Sequence, residues 1–292
     1  MIPGIDISSY QGAVDWPTLA KWGLAQDPNF FVIVKLCEYP DYVSPTFLDQ
    51  VKGAEAAGIQ NIGYYMYVHP SKGSGAAHGD FFFKCLNQVG GAVKNCFYAL
   101  DFEDNTGIAA DADLDAFAVD LDQRIAWPAG LHPLMYSASF YTVPHNLNKD
   151  SRLAQMGLWW AAPDVATIPA TPEPWASAGK SILIWQYSWH GTVPGIQGQV
   201  DLDWLNGDIS ALRPFQEGYQ PDPLAGIIAA GTPDVAVNPT SESVLDANAT
   251  FIQIVTDIEK ARGMVQRGTP LDTLLATVQA DAADGAKITW GH

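Results

Sequence analysis

Short apolar runs alternate with helix-like segments from residue 1 to about residue 214. Runs of this length, bounded by turn residues, are typical of buried strands. The eight predicted strands are residues 2–6, 30–36, 62–67, 97–103, 134–137, 158–161, 182–187 and 199–203.

Two amphipathic helices are predicted between these strands. Ser44 and Pro45 are the expected N-cap and first residue of one helix, and Gly58 is its expected C-cap. The apolar side of this helix carries Phe47, Leu48, Val51 and Ala54. The other helix carries Leu114, Phe117, Ala118, Leu121 and Ile125, with Asp111 and Asp113 at its positive end.

This order of elements predicts the α/β class. We expect an irregular barrel related to the (β/α)₈ type, with thin late connections, over residues 1–213. The active site of such a barrel lies at the C-terminal ends of its strands.

The texture of the sequence changes after Arg213. Residues 214–240 are rich in Pro and Gly and are interpreted as a linker or a draped arm. The last segment, residues 241–292, is predicted to be helical. Self-association or docking onto a partner through residues 241–268, and ordinary packing, are all open. The heptad stripe in this segment comprises Val244, Ala247, Phe251, Ile254, Ile258, Ala261 and Val265.

Two acids alternate at the end of the fourth predicted strand, Asp101 and Glu103. Residues two apart on a strand share a face, so both carboxylates are expected to point to one place. Burial and like charge would raise the pKa of at least one of them, which keeps a protonated acid available near neutral pH. The alternative is a strand end whose acids are solvated or cap the next helix.

Further acids and aromatic residues lie at other predicted strand ends. Asp6, Glu38 and Asp201 are expected to meet Asp101 and Glu103 at one rim if the barrel closes. Aromatic faces beside carboxylates suit a sugar, although any one aromatic alone is more often part of a core. The candidate sugar-binding aromatics are Tyr65, Tyr67, Tyr136, Trp159, Trp185 and Tyr187.

Composition narrows the classes of function. The chain has 292 residues and a formal net charge of −17, which works against binding nucleic acid or anionic lipid. Its three cysteines and six histidines show no ligand spacing, so neither a metal nor another cofactor is expected. No apolar run is long enough for a membrane span, and residues 1–6 do not resemble a signal peptide. Synthesis in a cytoplasm is therefore expected.

Several short segments carry a family resemblance. They are Gly4-Ile5-Asp6-Ile7-Ser8-Ser9-Tyr10-Gln11-Gly12, Val14-Asp15-Trp16, Val34-Lys35-Leu36-Cys37-Glu38, Gly63-Tyr64-Tyr65-Met66-Tyr67, Leu100-Asp101-Phe102-Glu103-Asp104, Leu158-Trp159-Trp160-Ala161, Trp185-Gln186-Tyr187-Ser188, Val193-Pro194-Gly195-Ile196 and Gly198-Gln199-Val200-Asp201-Leu202. In this order they resemble glycoside hydrolase family 25, the Chalaropsis-type lysozymes. The resemblance covers about residues 2–205.

The resemblance implies an N-acetylmuramidase that cuts the glycan of bacterial peptidoglycan. It implies that Glu103 is the general acid and that Asp101 stabilises positive charge. Asp6 and Asp201 then orient the sugar and tune the proton affinity of that pair. The sequence departs from the family's usual residues at Tyr39, Met66, Pro163 and Asp203, which concerns the shape of the sugar subsites.

A wall-cutting enzyme without a signal peptide needs another route to the wall. This indicates a phage protein that either is released at lysis, as an endolysin, or is carried on a virion. The alternative function is a non-catalytic glycan-binding or structural component of a phage tail, built on the same barrel.

Overall fold

The computed structural model describes residues 1–92, 95–109, 112–163 and 165–216. Apart from residues 214–216, the predicted linker 214–240 and helical segment 241–292 lie outside the described residues. The first half contains β1 (Ile2–Ile7), α1 (Trp16–Gln26), β2 (Phe31–Glu38), β3 (Tyr42–Val43), α2 (Phe47–Ala56), β4 (Asn61–Tyr67), α3 (Gly75–Gln88) and β5 (Phe97–Asp101). The second half contains α4 (Asp115–Ala129), β6 (Leu134–Ser137), α5 (Ser139–Thr142), β7 (Gly157–Ala161), β8 (Ile182–Gly191) and β9 (Val200–Leu205).

Eight of these strands close into a barrel, which confirms the predicted fold class. The strand order is β1-β9-β8-β7-β6-β5-β4-β2, and β1 also pairs with β2. The short β3 extends the sheet beside β2 as an antiparallel partner. Long helices precede or follow the early strands, whereas among the described residues the only helical segments in the connections after β6 are α5 and short 3₁₀ turns.

The last strand runs against its neighbours. β9 pairs antiparallel with both β8 and β1, while β1, β2, β4, β5, β6, β7 and β8 pair in parallel. Residues 192–199 connect β8 to β9, and this is too short for the crossover that a parallel strand requires. The N-terminal end of β9 therefore lies at the rim where the parallel strands have their C-terminal ends.

Apolar side chains form two layers, one inside the barrel and one between the strands and the helices. Phe31 and Phe97 lie inside the barrel and are fully buried. A Cβ atom at Gly4 would lie 2.3 Å from the ring of Phe31, and one at Gly63 would lie 2.5 Å from the ring of Phe97. Glycine at these two strand positions therefore makes room for large rings in a narrow barrel.

Several predicted boundaries were wrong. α2 begins at Phe47 with Thr46 as N-cap, since Ser44 and Pro45 belong to the preceding turn, in which the Phe47 N–H donates to the Ser44 carbonyl. Its C-cap is Ala57, and Gly58 follows with a φ of 90°. β5 ends at Asp101, two residues before the predicted end.

The start of α4 also differs from the prediction. This helix begins at Asp115, and the Asp113 carboxylate accepts a hydrogen bond from the Asp115 N–H. Asp111, the other acid predicted at this end, lies outside the described residues.

The sequence pattern did not reveal α3, because its glycines lower its intrinsic helix propensity. Those glycines are needed for packing against α4. A Cβ at Gly75 would lie 2.4 Å from the carbonyl oxygen of Phe117, and one at Gly79 would lie 2.4 Å from the side chain of Arg124. Close packing of the two helices thus stabilises a helix that local propensity disfavours.

Candidate active site

A cavity of about 610 Å³ opens at the rim formed by the C-terminal ends of the parallel strands. Its position agrees with the rule that barrel enzymes place their sites at this end. Most of its wall is polar, and five of its residues are acids. The lining residues are Asp6, Ile7, Ser8, Tyr10, Gln11, Lys35, Glu38, Tyr65, Tyr67, His69, Asp101, Glu103, Trp189, Gln199 and Asp201.

Asp101 and Glu103 lie together in this cavity, although only Asp101 belongs to the strand. The Phe102 N–H donates to the Tyr136 carbonyl at 2.9 Å, so the backbone continues along β6 for one residue beyond β5. Asp101 is buried, and its Oδ1 has no hydrogen-bond partner among the described residues. Glu103 is half-buried and more open to the cavity.

The environment raises the proton affinity of both acids. Burial, followed by the charge of Glu103, raises the pKa of Asp101 well above its ordinary value. Burial is also the main cause of the raised pKa of Glu103. The Lys35 ammonium opposes both shifts. Two carboxyls that interact this closely titrate as a pair, and a proton that they share can be carried by either acid.

Asp6 and Asp201 face each other across neighbouring strands, in register on β1 and β9. The Gln186 side-chain amide donates to Asp6 Oδ2 at 2.7 Å and approaches Asp201 Oδ2 at 3.5 Å. Burial, then the charges of Asp203 and Asp201, raise the pKa of Asp6 well above its ordinary range. Burial and then Glu103 raise the pKa of Asp201 to about 6.

A chain of paired charges lies between Asp6 and Asp101 in the strand order, on β2 and just after β4 and β5. Lys35 Nζ lies 2.8 Å from Glu38 Oε2, and Glu38 Oε1 lies 2.8 Å from His69 Nε2. The other ring nitrogen of His69 contacts Asp104 Oδ2. Burial would raise the pKa of Glu38, but the hydrogen bonds from Lys35 and His69 leave it below the ordinary value. Asp104 behaves in the same way, with hydrogen bonds from Thr106 and His69 outweighing burial.

Lys35 also lies against aromatic rings. Its ammonium is 4.7 Å from the ring centroid of Tyr67 and 5.9 Å from that of Tyr65. Cation–π contacts at these distances are favourable and fix the position of the charge. Lys35 is therefore held between the acids and the two tyrosines that line the cavity.

The structure divides the six candidate aromatics into three pairs. Tyr65 and Tyr67 line the cavity. Tyr136 and Trp159 are buried inside the barrel, where their polar atoms donate to Gln186 Oε1 and to Asp203 Oδ1, both at 2.8 Å. Tyr136 thus supports Gln186 and Trp159 supports Asp203, and neither aromatic residue lines the cavity.

Trp185 and Tyr187 lie elsewhere. Trp185 is packed in the layer between the strands and the helices, and its indole N–H donates to the Ala162 carbonyl. Tyr187 packs against the same layer and stacks on Trp204. The strand alternates its faces, so these two residues point away from the interior that Gln186 occupies. The prediction that they bind sugar thus placed them on the wrong face.

Sequence reasoning missed several residues of the cavity. His69 follows β4 by two residues, and no spacing signalled it as a partner of Glu38 and Asp104. Trp189 and Tyr10 contribute apolar surface at the mouth, with exposed fractions of 38% and 94%. The Trp189 indole N–H donates to Gln186 Oε1 at 2.7 Å. Exposed aromatics beside a polar cavity suit stacking against a sugar ring.

Chemically, the cavity offers a proton donor, ionised carboxylates and aromatic surface. The described residues contain no cluster of His, Cys, Asp or Glu arranged to hold a metal ion. Within the same residues, no helix has the length and apolar character needed to cross a membrane. The neighbouring carboxyls of Asp101 and Glu103, with their raised pKa values, support acid catalysis directly.

Comparison with protein families gives a match over most of the barrel. The model of glycosyl hydrolases family 25 matches residues 5–196. The autolytic lysozyme of Clostridium acetobutylicum is 31% identical over 203 residues, which are 68% of this chain and 54% of that protein. This chain thus spans about half the length of that relative. Lysozyme M1 of Streptomyces globisporus is 26% identical over 222 residues, which are 72% of this chain and 70% of that protein.

Solved structures give the same result for the fold. A muramidase from Trichobolus zukalii superimposes with a TM-score of 0.58 at 26% identity, covering 73% of this chain and 97% of that one. A bacterial lysozyme from Streptomyces coelicolor superimposes with a TM-score of 0.59 at 23% identity, covering 72% of this chain and 94% of the other.

Proposed function

Because the chain belongs to glycosyl hydrolases family 25, we propose that it is an N-acetylmuramidase. It would hydrolyse the β-1,4 bond between N-acetylmuramic acid and N-acetylglucosamine in bacterial peptidoglycan. The observation that carries this proposal is the meeting of Asp6, Asp101, Glu103 and Asp201 in one cavity, with raised pKa values for all four. An acid with a raised pKa keeps its proton to a higher pH, so it can donate that proton to a glycosidic oxygen.

Glu103 is the proposed general acid. It is more exposed to the cavity than Asp101, so it is better placed to reach an oxygen of a bound glycan. Its proton passes to the bridging oxygen as the bond from that oxygen to the anomeric carbon breaks. Water supplies hydroxide to the anomeric carbon and a proton to the solution or back to Glu103, so the overall reaction is hydrolysis.

Asp101 is proposed to stabilise the positive charge that develops as this bond breaks. That charge lies on the sugar or on a ring formed by the substrate's N-acetyl group. Asp101 is ionised whenever Glu103 carries the proton of the pair, and its unpartnered Oδ1 is free to face the charge. Asp6 and Asp201 would orient the sugar. The charge of Glu103 raises the pKa of Asp201, which helps to keep a proton in the cavity.

The glycan would lie along the aromatic side of the cavity. Tyr65 and Tyr67 are inside it, and Tyr10 and Trp189 are at its mouth. Rings in these positions can stack on the apolar faces of sugars, while Glu38 and Gln199 can accept hydrogen bonds from hydroxyls. This arrangement suits a long polymer better than a small enclosed ligand.

Digestion of purified cell walls tests the proposal. Wild type is expected to lower turbidity and create new reducing ends of N-acetylmuramic acid, identified by mass spectrometry. Glu103→Gln removes the proton and is expected to lower the rate about 10²–10⁴-fold. Asp49→Asn, an exposed acid on α2, is the matched control and should cleave at the wild-type rate. Reducing ends of N-acetylglucosamine, or equal behaviour of wild type and Glu103→Gln, would contradict the proposal. Equal behaviour would favour the non-catalytic glycan-binding or tail component.

We also propose that the protein acts at the wall as a phage product, either released at lysis or carried on a virion. The support is a sequence feature: residues 241–268 carry a heptad stripe suited to a virion partner or to self-association. Light scattering of the full chain, and a search for the chain in purified virions, test the two routes. A monomer that is absent from virions would contradict carriage and leave release at lysis.

A further inference from the structure

Asp203 lies inside the barrel on β9, below the cavity. It is 1% exposed and stands between Gly4 of β1 and Gln186 of β8 in the strand register. The Trp159 indole N–H donates to its Oδ1 at 2.8 Å. Its buried Oδ2 receives no hydrogen bond from a donor among the described residues. An ionised carboxylate with one buried oxygen that accepts no hydrogen bond would destabilise the fold. We therefore expect a proton at this site.

A second carboxyl lies close to the Asp203 side chain. Asp203 is within hydrogen-bonding reach of Asp6, which lies two residues from Gly4 on the same face of β1. The other side of Asp6 accepts from the Gln186 amide at 2.7 Å. Two ionised carboxylates cannot hydrogen bond to each other, since neither has a donor. A proton between Asp6 and Asp203 satisfies both.

We propose that Asp203 is a positioning residue, which shares a proton with Asp6 in a carboxyl–carboxyl hydrogen bond and thereby holds Asp6 in the cavity wall. The inference rests on the proposed muramidase function, because Asp6 orients the sugar in that function. Trp159 fixes Asp203 from below, and Gln186 fixes Asp6 from the side. Asp203 itself does not line the cavity and does not touch the substrate.

The groups around the pair are almost all acidic. Asp203 is close to Asp6 on β1 and to Asp201 on β9, and Asp6 is also close to Asp101 on β5. Tyr187 lies on the outer face of β8, and the charge of Asp203 raises its pKa without Tyr187 facing the pair. Burial first, and then the charge of Asp201, raise the pKa of Asp203 to about 8, and the hydrogen bonds from Trp159 and Asp6 only partly oppose this. The shared proton therefore persists at neutral pH, and a negative charge develops beside Asp6 as the pH passes about 8.

Two substitutions distinguish loss of the hydrogen bond from loss of the titratable proton. Asp203→Asn keeps the shape, accepts from Trp159 and donates permanently to Asp6. Asp203→Leu has similar volume but removes both interactions. Walls are digested with the full-length wild type and both variants from pH 5 to pH 10. Asp203→Leu is expected to lower kcat/KM about tenfold or more at every pH, because it leaves buried polar groups unpaired.

The ratio of kcat/KM for Asp203→Asn to that for wild type is the decisive quantity. It is expected to be constant below pH 7 and to rise as the pH passes about 8. A ratio cancels the alkaline loss that Glu103 imposes on both proteins. A flat ratio up to pH 10, or Asp203→Leu equal to wild type, would overturn the inference.

A second measurement does not depend on catalysis. Wild type labelled with ¹³C at aspartate carboxyls is expected to show a carboxyl that titrates near pH 8 and is absent from Asp203→Asn. Its folded pKa lies above the ordinary 3.8, so wild type loses stability as the pH rises from 3.8 to about 8. The thermal midpoint of Asp203→Asn should fall less over that range. If wild type cleaves no wall but this titration is present, the function fails and the shared proton stands. If wild type cleaves walls but no carboxyl titrates near pH 8, the function stands and the shared proton is contradicted.

Discussion

Two groups of carboxyls at one cavity have pKa values shifted in opposite directions. The acidic wall comprises Asp6, Asp101 and Asp201, and their pKa values are raised. The paired wall comprises Lys35, Glu38 and His69, together with Asp104, which contacts His69 but does not line the cavity. The pKa values of Glu38 and Asp104 are lowered. Burial is the largest influence on every one of these acids and always acts upward.

The difference lies in the partners. Glu38 receives hydrogen bonds from Lys35 and His69, whereas Asp101 has an oxygen without a partner and lies near another acid. Hydrogen bonds to the charged form favour it, and like charges disfavour it. The acidic wall therefore lowers the stability of the fold but holds protons that can be donated. The paired wall stabilises the rim. Each wall can be perturbed separately.

Among substitutions in the two walls, the largest effect is expected from Asp101→Asn. This substitution removes the negative charge that is proposed to stabilise the positive charge developing on the substrate, so kcat is expected to fall about 10²–10³-fold. The thermal midpoint should not fall. Asp101 has a raised pKa and so costs stability increasingly as the pH rises above its ordinary 3.8. The variant should therefore be more stable than wild type at pH 8. Wall digestion and calorimetry check both parts.

The outcome against this prediction is a variant that is both inactive and less stable at pH 8. That result would mean that Asp101 is a structural acid like those of the paired wall. Calorimetry at pH 4 is the internal control, because there the two proteins should differ least.

His69→Ala is expected to lower stability more than rate, the reverse of Asp101→Asn. His69 is 7% exposed and joins Glu38 to Asp104, so its removal leaves two carboxylates without their shared partner. The free energy of unfolding is expected to fall by about 3 kcal/mol. The loss of rate should be smaller than that of Asp101→Asn. Urea unfolding at pH 7 measures the first quantity.

The matched control is Arg152→Ala, which breaks an exposed ion pair with Asp150. Exposed pairs contribute little, so this variant should unfold close to wild type. Equal losses for the two variants would show that the paired wall is an ordinary surface network.

The smallest effect is expected from Lys35→Met, which acts on both walls. Lys35 lowers the pKa of Asp101 and of Glu103 and pairs with Glu38. Without it, the proton of the Asp101 and Glu103 pair is held to higher pH, so the alkaline limb of kcat should move upward. An alkaline limb that stays in place or moves to lower pH would show that another group sets it.

The barrel was largely predictable because each strand is a short apolar run between turn residues. The strand at Leu134–Ser137 was predicted at its exact bounds, and the others to within a few residues. The predicted end of β5 at Glu103 was too late, because alternation continues after the pairing with β6 stops at Asp101. α3 was missed because its glycines serve packing against α4, which no local pattern reports.

The acids of the site were predictable and their partners were not. Asp101 and Glu103 share a face by simple alternation, and the other acids mark further strand ends. Lys35 reaches Glu38 from within β2, whereas His69 follows β4 and reaches Glu38 because β4 pairs with β2. Trp185 looked equivalent to Trp159 in sequence, yet the two lie in different layers, because the face that each strand turns inward depends on register.

The sequence by itself determined the elements, the chemical character of the rim and the acids that stand there, because these depend on local pattern and residue type. Tertiary structure alone decided which acid is protonated. Asp203 and Glu38 are both carboxyls near strand ends, but one meets Asp6 in a dry interior and the other meets Lys35 and His69. Protonation depends on distance and burial in three dimensions, and neither is encoded in the spacing of residues along the chain.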